Sequence, residues 1–88
     1  MSVDQILAER GSRYGNYLKQ ATIAEGLWVI CADALENKEV AADQANALHM
    51  ICCKIARIVN GDPNYADSWR DVAGYATLIA DRLEGKSR

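Results

Sequence analysis

One segment constrains this chain more than any other. From Leu48 to Leu83, two runs with apolar residues at helical spacing are broken once, at Asn60-Gly61-Asp62-Pro63. Asn-Gly stops a helix, Asp can cap the next one, and proline suits a first helical turn. The segment therefore predicts a helical hairpin. Two helices cannot bury both of their apolar sides alone, so the first half of the chain must pack against them. The hairpin sets a basic pair, Lys54 and Arg57, on its outer faces, with Asp67, Trp69, Asp71 and Tyr75 beside them.

The first hairpin helix is predicted to start near Glu39 or Val40, after a polar hinge at Asn37-Lys38-Glu39. Its core stripe is Ala41, Ala45, Leu48, Cys52, Ile55 and Val59, widened by Ile51 and Ile58. Met50, Cys53, Lys54 and Arg57 project to the other side. The second begins within residues 63–67 and ends at Gly85, followed by a frayed tail at Lys86-Ser87-Arg88. Trp69, Val72, Ala73, Ala76, Ile79, Ala80 and Leu83 point one way, and Trp69 is expected in the core. Asp67, Asp71, Gly74, Leu78 and Arg82 point the other way, with Tyr75 on the boundary.

Upstream, Ser2-Val3-Asp4-Gln5 is a capping box that opens a short helix. Gly11 and Gly15 are expected to end that helix and turn the chain across Arg10–Gly15, and Asn16 can cap the second helix. That long helix, over about 17–36, carries Tyr17, Ala21, Ala24, Trp28, Cys31 and Leu35 as one stripe. Ile23, Leu27, Ile30 and Ala34 form a second stripe beside it. A helix this apolar is central or shared with another subunit. The predicted architecture is all-α: one domain over residues 1–88, a small four-helix bundle of one short and three long helices.

At 88 residues, half of them hydrophobic, the chain is expected to fold, and a small core favours a homo-oligomer. A net charge of -2 argues against a nucleic-acid polymer as partner. The apolar runs are too short to cross a bilayer, and the polar N-terminus suggests no signal peptide. The three cysteines, Cys31, Cys52 and Cys53, lack zinc-site spacing and read as buried thiols of a cytoplasmic protein.

Lys54 and Arg57, three residues apart, could converge on one anion, with Arg supplying a planar fork and Lys a point charge. The ordinary alternative is a solvated pair matched to nearby acids. Asp67 and Asp71 share a helical face near an N-terminus, where carboxylates favour the helix dipole or could share Mg²⁺ with a phosphate. Tyr75 could be a core ring or a stacking platform. His49, the only histidine, reads as structural, since no nucleophile arrangement accompanies it. Arg10, Arg13 and Tyr14 crowd a glycine-bounded turn that is no Walker loop.

Four motifs carry a resemblance: Arg10-Gly-Ser-Arg-Tyr14-Gly15, Lys54-Ile-Ala-Arg57, Asn60-Gly61-Asp62-Pro63, and Asp67-Ser-Trp69-Arg-Asp71-Val-Ala-Gly74-Tyr75. Over nearly its whole length the chain resembles a family of small tailed-bacteriophage proteins, which more often carry Asp where Asn16 stands. More remotely, the helical layout is similar to the all-α nucleotide pyrophosphohydrolases of the MazG and dUTPase type. Those enzymes hold Mg²⁺ between an E-x-x-E helix and an E-x-x-D helix. Here helix two offers Glu25, Asp33 and Glu36 without an E-x-x-E, and Glu36 to Glu39 straddles the hinge.

The resemblance implies a pocket that holds a nucleotide without cutting it, with no cofactor. The leading expectation is a non-catalytic, oligomeric phage-type protein in the host cytoplasm that sequesters a phosphorylated small molecule, such as a cyclic nucleotide defence signal. Its ligand set would be Lys54 and Arg57 for phosphate, Tyr75 and Tyr14 for base or ribose, and Arg10 or Arg13 from the turn, with Asp67 and Asp71 alongside. Two alternatives stand beside it. One is a reduced, Mg²⁺-dependent nucleoside triphosphate pyrophosphohydrolase using Asp67, Asp71 and an acid of helix two. The other is a protein-protein adaptor or inhibitor of a host protein, docking through helix two.

Overall fold

In a computed structural model, which describes residues 2–86, the chain forms four helices: α1 (Val3–Tyr14), α2 (Tyr17–Leu35), α3 (Ala42–Asn60) and α4 (Ala66–Leu83). No strand occurs among the described residues. The all-α expectation holds. The expected fraying at Ser87 and Arg88 falls outside the described residues.

Local chemistry explains the boundaries. Ser2 and Gln5 make the capping box, with the Gln5 N–H donating to Ser2 Oγ at 3.2 Å and the Ser2 N–H donating to Gln5 Oε1 at 2.9 Å. Asn16 caps α2 by accepting from the Lys19 N–H at 3.0 Å. Two boundaries differ from expectation. α1 runs through Gly11 to Tyr14, so the turn shrinks to Gly15-Asn16 and Arg10, Arg13 and Tyr14 are helical. α3 starts at Ala42, because the Gln44 amide oxygen turns back to accept the Ala41 N–H at 2.9 Å.

α3 is the spine. α2 packs on it through Trp28, which stacks on His49 at 4.6 Å, and through Cys31, whose Sγ lies 4.0 Å from Cys52 Sγ. α4 packs on it through Lys54–Asp71 and Asp43–Arg82. Asp43 and Cys52 are about 180° apart around α3 at ~100° per residue. Accordingly α2 and α4 flank opposite sides of α3 and do not touch each other. The three long helices form a layer, and α1 crosses one end of it against α3 and α2.

A layer has little interior. The buried apolar residues are Ala24, Ala47, Cys52, Ala56 and Ile58, and no large side chain is fully buried. This rotates the expected α3 stripe. Leu48, Ile55 and Val59 stay exposed, while Lys54 is buried. Trp69, expected in the core, is 56% exposed and donates its indole N–H to the Pro63 carbonyl at 2.8 Å. Tyr17 is likewise exposed. All three cysteines are free thiols, and burial, followed by the Cys31 contact, pushes Cys52 up to about 11.

Candidate functional site

Two chain corners interlock where α1 crosses the layer. Asn60, the last residue of α3, donates through Nδ2 to the carbonyls of Tyr14 at 2.8 Å and Asn16 at 2.9 Å. The Asp62 N–H donates to the Arg13 carbonyl at 2.6 Å. Gly61 lies so close that a Cβ there would run into the Arg13 carbonyl and the Tyr14 Cα. Gly15, at φ +78°, faces the Asn60 backbone with equally little room. Sequence motifs 46 residues apart thus become one backbone junction.

The junction aligns four side chains. The Arg57 guanidinium lies 4.8 Å over the Tyr14 ring, and the Arg13 guanidinium lies 4.8 Å over the Tyr65 ring. The two tyrosines meet edge to face at 6.3 Å. Each arginine lies over an aromatic face, whose quadrupole attracts the cation without neutralising its charge. Arg13 also reaches Glu9 at 3.3 Å, one turn back along α1. Burial, then a hydrogen bond to Asp67, raises the Tyr65 hydroxyl above its ordinary value.

Beside Tyr14 opens a cavity of about 520 Å³, lined by Leu7, Arg10, Tyr14, Tyr17, Gln20 and Arg57 among others. No carboxylate lines it. Arg57 Nε is shut from water and has no hydrogen-bond partner. A buried N–H without an acceptor is uncommon and calls for an explanation. This volume falls within the ~300–1,000 Å³ usual for small-molecule sites.

The remaining candidates go elsewhere. Lys54 does not converge with Arg57, because its ammonium is buried and pairs with Asp71 at 3.1 Å. Asp67 accepts from Arg70 at 3.1 Å and from the Tyr65 hydroxyl at 3.2 Å. Tyr75 lines a separate groove with Asp43, Asn46 and Arg82, toward the far end of α3. His49 stacks on Trp28 with Nε2 at 3.5 Å from Glu25, too poorly aligned to count as a hydrogen bond. Among the described residues, no three His, Cys, Asp or Glu side chains gather as a metal site. The sequence reading missed Tyr65 and Gln20 and took Asn60 as a helix stop rather than a bridge; the signal for Tyr65 was an aromatic residue just past the Asn60–Pro63 corner.

A family model described as a domain of unknown function, DUF6378, matches residues 2–83. The chain belongs to the DUF6378 family. Its matched span holds both interlocking corners and every residue named at the cavity. No curated protein and no solved structure matches the chain.

Proposed function

We propose that this DUF6378 protein is a non-catalytic binder of a phosphorylated small molecule of nucleotide type, sequestering it as a phage-type protein would sequester a defence signal. The observation that supports the reading is that Arg57, lying over Tyr14, and Arg10 both line a cavity that no carboxylate lines. The Arg57 guanidinium lies over the Tyr14 ring, and a guanidinium is a donor group suited to phosphate oxygens. Arg10 adds a second cation, while Tyr17 and Tyr14 supply aromatic edges and faces for a base or ribose. Lys54, Asp67, Asp71 and Tyr75 leave the ligand set, since each is engaged or placed elsewhere. The same engagements weigh against a pyrophosphohydrolase, whose metal would need Asp67 and Asp71 free.

Calorimetry with nucleoside monophosphates, triphosphates and cyclic nucleotides tests this. One class should bind at micromolar concentration or tighter. Arg57→Ala should weaken it at least tenfold, equivalent to about 1.4 kcal/mol. Tyr75→Ala should leave affinity unchanged. Heat from none of these ligands, or equal binding by Arg57→Ala, refutes the assignment.

A further inference from the structure

We infer that the uncovered apolar face of the α2–α3–α4 layer is closed by the same face of a second copy, giving a dimer in which two three-helix layers stack face to face. The inference stands apart from the proposed ligand, whose cavity lies at the α1 junction.

The face is defined by contacts. The Cys31–Cys52 thiol contact marks the α2–α3 seam on this side. A groove lined by Leu48, Ile51, Ala76 and Ile79 marks the α3–α4 seam. Helical spacing from those seams places Ile30 of α2, Leu48, Ile55 and Val59 of α3, and Trp69 and Leu83 of α4 on one side. All six are exposed, from 37% at Leu48 to 70% at Ile30. None is charged. The ion pairs Asp43–Arg82 and Lys54–Asp71, with Tyr75, occupy the opposite side of the α3–α4 pair.

The area identifies the occupant. The chain exposes 6270 Å². A compact monomer of 9.7 kDa exposes only about 5,100 Å². The surplus, on the order of 1,000 Å², is close to the ~800 Å² that each partner buries in a standard stable interface. The radius of gyration is 14.8 Å, against about 12 Å for a compact domain of this length. An apolar face centred on Leu48, Ile55 and Val59, which another copy presents identically, fits an isologous twofold contact, which closes on itself and leaves no sticky surface.

Sedimentation equilibrium at micromolar concentration tests the pairing, with helicity followed by circular dichroism. The wild-type protein should weigh twice 9.7 kDa. Ile55→Glu combined with Val59→Glu puts charge at the centre of the face, on side chains left 38% and 64% exposed in the protomer. That variant should sediment as a monomer, whereas Leu78→Glu, beside Tyr75 on the polar side, should remain dimeric. If the double variant loses helicity at every concentration, Trp69→Arg at the edge of the face replaces it, with at least a tenfold weaker dimer expected. A monomeric wild type, a dimer untouched by these substitutions, or a mass rising without limit overturns the proposal. So does a monomer that binds a different protein through this face.

Discussion

The two sides of the α3 layer hold their neighbours by different physics. At the α1 junction and along the polar side, contacts are directional: Asn60 bridges two carbonyls, Gly61 admits a backbone, and Lys54 meets Asp71. On the other side, Leu48, Ile55, Val59 and Trp69 present area without direction. Directional contacts position a site but bury little; apolar area stabilises in proportion to burial, whatever covers it. A chain this short has divided the two tasks between its faces.

The sharpest way to break the comparison is at the junction. Gly61→Ala should destabilise by on the order of 3 kcal/mol, because its Cβ meets backbone atoms of Arg13 and Tyr14 that cannot swing aside. Gly15→Ala adds backbone strain at φ +78° to a similar clash with Asn60. Gly26 is the counterexample. Nothing lies within 4 Å of a Cβ there, so Gly26→Ala in mid-helix should stabilise by about 0.5–1 kcal/mol. Urea unfolding at one fixed protein concentration measures all three. A junction variant as stable as wild type would show that the corners do not hold the site.

A second, smaller effect separates charge from packing. Lys54 is buried, and its partner Asp71 is half exposed. Asp71→Ala leaves a largely dry ammonium without an acceptor and should cost about 1–3 kcal/mol. Lys54→Met keeps the stem's packing, removes the charge and returns Asp71 to water, so it should be close to neutral. Equal losses in the two variants would place the value of the pair in the lysine stem rather than in the charge contact.

The sequence made most of the fold legible, because caps are local: Ser2 with Gln5, Asn16 and the Asn60-Gly61 stop mark helix ends as read. By contrast, α4 starts at Ala66 behind Tyr65, so Asp62 does not cap it and Pro63 lies before its first turn. Periodicity also located the apolar stripe Leu48–Ile55–Val59. It could not say what the stripe faces. A stripe turned toward another surface reads the same as one turned inward, so of the stripe read on α3 Cys52 and Ile58 are buried while Leu48, Ile55 and Val59 stay exposed. The site was half legible for a similar reason. Arg57, Tyr14 and Arg10 stood out as charge and aromatic character, and they do share a cavity. Lys54 and Tyr75 looked equivalent, but each reaches a neighbour that only tertiary packing supplies.

The smallest expected effect is in acid, and it concerns one face only. The Arg82 guanidinium, hydrogen-bonded to Asp43 through Nη2 at 2.7 Å, holds that carboxyl below its ordinary 3.8. A carboxyl with a lower value when folded than unfolded stabilises the fold fully above about 3.8 and loses that contribution as pH falls through the folded value. Arg82 strengthens its own charge in the same contact and does not titrate in this window. Arg82→Gln should therefore flatten the fall in stability below pH ~4 and leave neutral-pH stability little changed, since both side chains are well exposed to screening water. Ile30, Leu48, Ile55, Val59, Trp69 and Leu83 have no group that titrates here, so the proposed dimer contact should be insensitive to pH from about 7 to 5. A mass that halves in that interval, with the helices intact, would place a titrating charge on the apolar face and merge the two surfaces that the layer keeps apart.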